Sequence, residues 1–341
     1  MDKIVLLGKT MPELKLLSEE LGLPKFAARQ IADWLYKKNV DSVEQMTNIS
    51  IANRNKIAER CVVGKSLPEN VMVSADGTKK YLFRVQDKFV EAVYIPEKDR
   101  ATLCVSSQVG CKMNCLFCMT GKQGFGCNLT SGEILNQMQA IPEFDKLTNV
   151  VFMGMGEPMD NVKNVLAALE IMTSDYGYAW SPKRVTVSTV GIVPGMREFL
   201  QKSSCHLAVS LHNPFPDERL AMMPIEKAYP IVDVLSEIKE YDFTGQRRVS
   251  FEYTMFKGKN DTPRHAAELK RLLDGLECRM NLIRFHAIPD VPLEGSSDGE
   301  IEKFQSELSK RGLLATIRKS RGEDIFAACG LLSTMKNNKE L

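Results

Sequence analysis

From about residue 97 onward, apolar strand segments alternate with helical segments, and this alternation restricts the folds open to the chain. Strands that are joined through helices run parallel in one sheet, so their carboxyl ends meet at one edge, where ligands bind. The sequence therefore predicts an α/β fold whose functional residues follow the strands. The predicted strands are 101–107, 148–153, 184–189, 206–211, 248–255 and 279–285. Thr130 and Glu133 predict a capping box that opens one of the intervening helices.

The first 96 residues have a different pattern. Residues 11–61 carry apolar side chains at helical spacing and predict a small helical unit with too little core for a catalytic body. Phe26 is expected on the apolar face of the second helix of this unit. Residues 70–96 read as strands, with hairpin turns predicted at Asp76-Gly77 and at Asp87. In the strand after Asp87, Glu91 is a carboxylate on an otherwise apolar face, which indicates either a functional acid or an edge at the surface.

Three cysteines, Cys111, Cys115 and Cys118, lie within eight residues, with gaps of three and then two residues. Three thiolates can hold three irons of a 4Fe–4S cluster, and the fourth iron is then open to a reacting molecule. Residues 154–158 (Gly-Met-Gly-Glu-Pro) directly follow an apolar strand and belong beside this loop at the ligand-binding edge.

A structural zinc ion is the alternative explanation of the three cysteines. Zinc takes four ligands, usually as two pairs. Cys104 or Cys127 could complete a set, but neither forms the usual second pair, so the spacing favours the iron–sulfur interpretation.

Composition limits the remaining possibilities. The 341 residues suffice for one large α/β domain and a smaller one, and no run approaches the roughly 18 apolar residues of a membrane helix. Nine cysteines in metal-like spacing, without the features of a signal peptide at the N-terminus, predict a cytoplasmic protein. The net charge of +2 excludes a molecule that is basic throughout, but residues 303–322 carry six basic residues against one acid. This stretch either contacts phosphates or forms a solvated helix face.

The cysteine spacing and residues 154–158 together resemble the radical S-adenosylmethionine superfamily. That resemblance implies a partial (βα)6 barrel in which the cofactor's amino acid end chelates the open iron, and Gly156 and Glu157 match the segment that grips its amino group. It also implies three regions. They are a helical RNA-binding accessory domain (1–65), a β-hairpin extension carrying Glu91 (66–96), and the barrel with a C-terminal methyl-carrier segment (97–341).

Within that superfamily the chain is similar to the RlmN/Cfr group of RNA methyltransferases, on residues 90–96, 104–111 and 321–330. The resemblance covers essentially the whole chain. It implies methylation of carbon 2 of an adenine in 23S rRNA and in a subset of tRNAs, as in RlmN. The alternative is methylation of carbon 8 of the same ribosomal adenine, as in Cfr, but RlmN is the more widespread.

Carbon 2 of adenine is electrophilic, so the electrophilic methyl group of S-adenosylmethionine cannot attack it directly. The resemblance implies a detour that uses two cofactor molecules per turnover. One methylates Cys329, and the second gives a radical that activates this methyl group and joins it to the adenine. Glu91 is then the base that removes the ring proton, with a pKa raised by its apolar surroundings. Cys104 forms a disulfide with Cys329 and so releases the product.

Further residues match family positions that contact the ribose and the amino acid end of the cofactor. His286 stands where the family usually has asparagine, and its ring can still form a hydrogen bond. The implied partners are 23S rRNA, tRNA and a low-potential electron donor such as flavodoxin or ferredoxin, with a monomeric protein. A non-catalytic, zinc-stabilised RNA-binding protein is the alternative from another class. The additional contact residues are Ser188, Ser210, Leu211, His212 and His286.

Replacing Cys115 with Ala should abolish the bound iron, roughly four atoms per chain, because each of the three thiolates holds one iron. Anaerobic reconstitution followed by iron and sulfide analysis measures this. Cys205→Ala is the control, since Cys205 matches no ligand pattern and should retain the iron. A Cys115→Ala protein with full iron content would refute the cluster assignment.

Overall fold

The structure is a computed structural model that describes residues 3–334 except 244 and 246, and it begins with a small helical unit. Leu14 and Leu17 are buried as their spacing predicts, whereas Phe26, also expected on an apolar face, is 65% exposed. Ile4 pairs with Cys61 in a parallel two-stranded ladder that joins the two ends of the unit. Its elements are β1 (Ile4–Val5), α1 (Met11–Glu20), α2 (Ala27–Ala32), a π-helical turn (Asp33–Lys37), a 3₁₀ turn (Val43–Gln45), α3 (Ile51–Arg60) and β2 (Cys61–Val62).

Three antiparallel strands follow and confirm the predicted hairpins: β3 (Asn70–Val73), β4 (Lys79–Val85) and β5 (Lys88–Pro96). The first turn contains Gly77 at φ +84°, a left-handed conformation that favours glycine. The second turn has only two residues, and Gln86 takes φ +56° there.

The remainder of the chain alternates strands and helices, and all six predicted strands are present. A seventh parallel strand, β14, was not predicted, because its three residues are too few to give a recognisable pattern. In chain order the elements are β6 (Ala101–Cys104), β7 (Gln108–Gly110), α4 (Met119–Gln123), β8 (Phe125–Asn128), α5 (Ser131–Gln139), β9 (Asn149–Phe152), α6 (Val162–Thr173), β10 (Val185–Thr189), α7 (Val193–Lys202), β11 (His206–Ser210), α8 (Pro216–Met222), α9 (Ile231–Lys239), β12 (Val249–Met255), α10 (Pro263–Leu272), β13 (Cys278–Arg284), α11 (Asp298–Lys310) and β14 (Ala315–Ile317). Short 3₁₀ turns lie at Phe144–Lys146, Pro158–Asn161, Pro182–Arg184, Pro224–Lys227 and Glu323–Ile325.

Ten strands form one continuous sheet in the order β14-β13-β12-β11-β10-β9-β6-β5-β4-β3. The seven strands from β14 to β6 are parallel, and β5, β4 and β3 continue the sheet in antiparallel fashion. The predicted α/β fold with a partial barrel is therefore confirmed. Because β5 pairs directly with β6, the hairpin extension stands beside the barrel's first strand and not at a distance from it. None of the described helices has the length and apolarity to cross a membrane.

The helical unit packs tightly on the barrel helix α5. A capping box predicted from the sequence opens α5, where the Thr130 N–H donates to Glu133 Oε2 over 2.8 Å. Just after it, Gly132 lies against the backbone at Gly8, and a Cβ on Gly8 would stand 2.1 Å from the Gly132 nitrogen. One hydrophobic cluster contains residues of both regions, so the division into 1–65, 66–96 and 97–341 does not separate independent cores and remains a prediction.

Gly8→Ala should lower the free energy of unfolding by more than about 3 kcal/mol, because the two backbones must move apart to admit the methyl group. Gly22→Ala is the matched control. Gly22 also has a left-handed φ, +63°, but nothing lies within 4 Å of its added Cβ, so only the backbone strain of about 1–2 kcal/mol applies. Urea denaturation of both variants measures the difference, and equal losses would contradict the close contact.

Candidate active site

The predicted functional residues gather at the carboxyl ends of the parallel strands. Cys104 ends β6, residues 154–158 follow β9, and Ser188 lies near the end of β10. Ser210 ends β11, residues 211 and 212 directly follow it, and His286 follows β13. Motifs that are distant in the sequence thus share one edge of one sheet, as ligand sites of parallel sheets do.

The three clustered cysteines occupy a loop whose base is closed by the antiparallel β7–β8 pair. Cys111 directly follows β7, and its N–H donates to the Gly124 carbonyl, 3.0 Å away, directly before β8. Cys111 and Cys115 are 9% and 8% exposed, and Cys118 is half-buried. The small hairpin, which the sequence did not predict, therefore holds three thiols together in a largely buried loop.

These thiols fit a polynuclear cluster. Burial and the neighbouring cysteines raise the pKa of Cys111 to about 12 and that of Cys115 well above its ordinary value. These shifts disfavour the thiolates, whereas a bound metal cation stabilises them. Among the described residues, no three Cys, His, Asp or Glu side chains are arranged around a single metal ion. Cys104 and Cys127 have different neighbours, so neither completes a zinc site with the other three.

The glycines of residues 154–158 permit a close approach to the loop after β6. A Cβ on Gly154 would lie 2.7 Å from the Val105 carbonyl oxygen, and one on Gly156 would lie 2.5 Å from Gln108 Cβ. Gly156 also has φ +99°, a conformation that side chains rarely adopt. Any larger residue would push this segment away from the cysteine loop.

Glu157 is 3% exposed and is held by three donors from its own protein. Oε1 accepts from the Met159 N–H (3.0 Å) and the Thr189 hydroxyl (2.6 Å), and Oε2 accepts from the Val190 N–H (2.9 Å). Burial raises its pKa to about 7 even though these hydrogen bonds favour the carboxylate. Since each carboxylate oxygen has two lone pairs, one on Oε2 remains for a ligand.

His212, two residues after the end of β11, is a neutral ring in a fixed tautomer. Its Nδ1 accepts the Thr254 N–H over 2.9 Å, so Nε2 carries the proton. Burial and the charge of Arg219 lower its pKa to about 3. The preceding Leu211 is fully buried, and Ser210 is half-buried on the strand that carries them. Of these three residues, His212 therefore offers a side-chain N–H donor whose protonation does not change near neutral pH.

Arg219 of α8 was missed by sequence analysis, although it is completely buried. Its guanidinium pairs with Glu226 and donates to the carbonyls of Leu211 (3.1 Å), Val190 (3.0 Å) and Ser210 (3.1 Å). It thereby fixes the chain directly after β10 and at the end of β11. No sequence signal distinguishes this arginine from a surface residue of an amphipathic helix.

His286 faces the C-terminal segment. Its Nε2 lies 2.9 Å from the Ser320 hydroxyl, and its Nδ1 lies 3.8 Å from Glu323. Burial lowers its pKa, so the ring is neutral at ordinary pH. The position expected to replace an asparagine contact therefore has protein partners of its own.

Cys104 and Cys329 are separated by most of the barrel sequence but lie close together in space. The charge of Cys329 adds to burial in raising the pKa of Cys104 to about 12, and the guanidinium of Arg318 lowers it. Cys329 is exposed to the space within the barrel mouth. Desolvation by the residues around this space raises the pKa of the Cys329 thiol, and the charge of Arg318 lowers it. All nine cysteines lie in described residues and are free, so a Cys104–Cys329 disulfide is not part of the fold.

Glu91 is almost completely buried, but its surroundings differ from the expected apolar face. Lys80 of the neighbouring strand β4 places Nζ 2.9 Å from Glu91 Oε1, and the Ser333 N–H donates to Oε2 over 3.0 Å. The expectation was wrong in this respect, because the pattern of one strand does not show what the next strand presents. Two consecutive lysines, Lys79 and Lys80, are the signal that could have revealed it, since alternation turns one of them inward.

Glu252 of β12 is a second buried acid at the barrel mouth. Its Oε1 accepts from Asn281 (2.7 Å) and Ser250 (3.2 Å), whereas Oε2 is buried without a partner among the described residues. Burial raises its pKa, and Arg318 lowers it. The Glu252 carboxylate faces Cys329, and its negative charge raises the pKa of the Cys329 thiol.

The basic stretch is divided between the surface and the site. Arg311 pairs with Glu307 one helical turn earlier, and Arg321 lies 3.9 Å from Asp76. Arg318 turns towards the two thiols, which sequence analysis did not foresee. The basic residues of this stretch therefore have different surroundings, and contact with phosphates remains a prediction.

Comparison with known proteins places this site in a family. Residues 105–269 match the model of the radical SAM superfamily, and residues 4–63 match that of the ribosomal RNA large subunit methyltransferase N-terminal domain. The crystal structure of a radical SAM methyltransferase from Sphaerobacter thermophilus superposes with a TM-score of 0.90 at 38% identity, covering 96% of this chain and 99% of that one. The fold and the cysteine loop are those of a radical SAM enzyme, which implies a 4Fe–4S cluster and S-adenosylmethionine as cofactors.

The curated relatives define the family more narrowly. A probable dual-specificity RNA methyltransferase RlmN from Parabacteroides distasonis is 59% identical and covers 98% of both chains. The dual-specificity RNA methyltransferase RlmN of Syntrophus aciditrophicus is 42% identical over 98% of this chain and 97% of its own. The chain belongs to the RlmN family.

Arg219→Met should destabilise the protein by about 3–5 kcal/mol, because it leaves a buried Glu226 carboxylate and three strand-end carbonyls without their partner. The double variant Arg219→Met/Glu226→Leu removes both charges and should recover a substantial part of the loss. Thermal and urea denaturation measure both variants. A double variant no more stable than the single one would show that the unpaired carboxylate is not the cause.

Proposed function

We propose that the enzyme methylates carbon 2 of an adenine in 23S rRNA and in a subset of tRNAs, through an S-methylcysteine and a transient protein–RNA crosslink. The observation that carries this proposal is the proximity of the free thiols of Cys104 and Cys329 at the barrel mouth. A direct transfer of a methyl group would not need two neighbouring thiols. The names of the relatives, which include a probable dual-specificity RNA methyltransferase, support a methyltransferase that acts on more than one RNA.

Cys111, Cys115 and Cys118 would hold the cluster through three thiolates. When bound there, the cluster and S-adenosylmethionine supply a methyl group for a thiol and, after one-electron reduction, a radical that activates that group. The buried loop excludes water from this chemistry. Its nearby apolar side chains, among them Met223 and Phe256, maintain a low dielectric around the thiolates.

The strand-end residues would bind and orient the cofactor. Glu157 has one acceptor position left for an amino group, and Gly156 leaves room for the backbone to approach. His212 would contribute its Nε2–H, or act by supporting the wall of the site. Arg219 would not touch the cofactor but would keep the strand ends in place. The proposed cofactor-contacting residues are Gly156, Glu157, Ser188, Ser210, Leu211, His212 and His286.

Cys329 would accept the methyl group, which requires its thiolate. Burial raises the pKa of this thiol, and the charge of Arg318 opposes that shift. Cys329 is also exposed to the space where a nucleobase would enter. After the methylene carbon has joined carbon 2 of the adenine, Cys329 is bonded to the RNA through sulfur.

The addition leaves an unpaired electron on the adenine ring, which the oxidised cluster would accept as Glu91 takes the proton from carbon 2. Cys104 would then release the product. The Cys104 thiolate attacks the sulfur of Cys329, the sulfur–carbon bond breaks, and its electron pair stays on the methyl carbon, which takes up a proton. A disulfide between Cys104 and Cys329 remains until it is reduced. Because the pKa of Cys104 is about 12 in this structure, release should become faster as pH rises.

Carbon-8 methylation of the ribosomal adenine is the alternative outcome. Mass spectrometry of RNA digested after the reaction distinguishes the two methyl positions and identifies rRNA or tRNA as substrate. Carbon-8 product alone would overturn the proposed position while leaving the thiol chemistry intact. We further propose that the enzyme is a cytoplasmic monomer that receives electrons from a flavodoxin- or ferredoxin-like donor.

Cys104→Ala should accumulate protein covalently joined to RNA, because the crosslink then has no attacking thiol to resolve it. Cys329→Ala should give neither methylated protein nor methylated RNA, since the acceptor is missing. A denaturing gel with and without nuclease, run on protein purified after expression, measures the adduct. Cys278→Ala, at a half-buried cysteine on β13, is the control and should form no excess adduct.

Two results would overturn the assignment of these thiols. Normal turnover without a nuclease-sensitive adduct in Cys104→Ala would remove Cys104 from the reaction. RNA methylation by Cys329→Ala would exclude the relay through S-methylcysteine altogether.

A further inference from the structure

Lys80 and Glu91 form an ion pair that is almost entirely removed from water. Their side chains are 8% and 1% exposed, and Nζ lies 2.9 Å from Oε1. Burying two charges costs several kcal/mol per ion, and an apolar pair of similar size is often as stable or more so. Stability alone therefore does not explain why a buried ion pair is present at the proposed base.

The strand register sets the direction of the two lysines of β4. Lys80 is directly opposite Met72 of β3 and Val93 of β5, and Val93 is directly opposite Cys104. Since side chains alternate along a strand, Lys80 shares the face of Glu91 and Cys104, whereas Lys79 points to the opposite face. There Lys79 pairs with another buried acid, Glu143, over 2.7 Å.

The ion pair also contacts the segment that carries Cys329, on both sides of that residue. The Ser333 N–H donates to Glu91 Oε2 over 3.0 Å, and Lys80 Nζ lies 3.5 Å from the Phe326 carbonyl oxygen. One member of the pair thus holds the segment before Cys329, and the other holds it after Cys329.

Other charged or titratable groups face Glu91 from the neighbouring strands. Arg84 lies on the same face of β4 as Lys80 but is exposed, and it pairs with Glu69 over 2.6 Å. Cys104 contributes a thiol from β6. Within the part of the chain that the structure describes, Lys80 is a cation at ion-pair distance from Glu91.

We propose that Lys80 is a positioning residue that keeps Glu91 ionised as the base and links the charge of Glu91 to the placement of the Cys329 segment. This inference rests on the proposed role of Glu91. A neutral acid attracts neither the Lys80 ammonium nor the Ser333 N–H as strongly as a carboxylate does. When Glu91 takes the proton from carbon 2, both contacts weaken, and the segment is less firmly held at the step where Cys104 must reach the sulfur of Cys329.

The test uses the reconstituted holoenzyme with its RNA and follows resolution of the crosslink on denaturing gels from pH 6 to pH 9. Lys80→Met should slow resolution on the order of tenfold at the acid end and recover at the alkaline end. The sign follows from desolvation, because a buried carboxylate that has lost a neighbouring cation needs a higher pH to stay ionised. Lys80→Arg keeps the charge and should retain the parent profile.

Lys79→Met is the matched control, since it also removes a strand β4 lysine from a buried glutamate, but on the opposite face. It should be destabilised like Lys80→Met and yet keep the parent pH profile. Should Lys80→Met fail to fold, Lys80→Gln replaces it with a polar side chain. A second measurement, alkylation of Cys329 in the holoenzyme without S-adenosylmethionine, should be severalfold faster in Lys80→Met than in Lys79→Met.

The inference is overturned if Lys80→Met and Lys79→Met have the same pH profile while Glu91→Gln is slow at every pH. If Glu91→Gln itself resolves the crosslink normally, the assignment of Glu91 as the base fails, and the role of Lys80 fails with it. The two failures are therefore distinguishable in one series of variants.

Discussion

The active-site edge of this enzyme depends on a buried arginine. Arg219 donates to carbonyls at residues 190, 210 and 211, and its charge is balanced by Glu226. Backbone carbonyls at strand ends are acceptors that must be satisfied once they leave the sheet ladder. By satisfying them from one rigid planar group, the protein fixes two neighbouring loops relative to each other. Glu157 performs the complementary task on the other side of β10, where it accepts from Thr189 and Val190.

A second organising feature is the continuous sheet from β3 to β14. Because the antiparallel strands join the first parallel strand directly, residues from the hairpin extension and from the barrel share one face. Glu91 and Cys104 become neighbours in this way, and the C-terminal segment closes over them through Ser333. The site is thus assembled from an extension, a barrel strand and a terminal segment, none of which contains it alone.

Much of this was predictable from sequence. The six barrel strands, the two hairpins and the capping box at Thr130 follow from periodicity and turn residues, which are local properties. The cysteine spacing and residues 154–158 predicted which loops belong together. The features that sequence analysis missed depend on the register between strands or on burial in the tertiary structure. Lys80 beside Glu91 requires knowledge of the β4–β5 pairing, and Arg219 looks like an ordinary helix residue until the fold surrounds it.

The distance along the chain between the cysteine loop and Cys329 has a consequence for synthesis on the ribosome. The loop that would hold the cluster is translated about 200 residues before the proposed methyl acceptor. A nascent chain can therefore present its three cluster thiols long before it has a thiol to methylate. Radical chemistry directed at the proposed carrier would therefore have to wait until β14 and the segment that carries Cys329 have been translated.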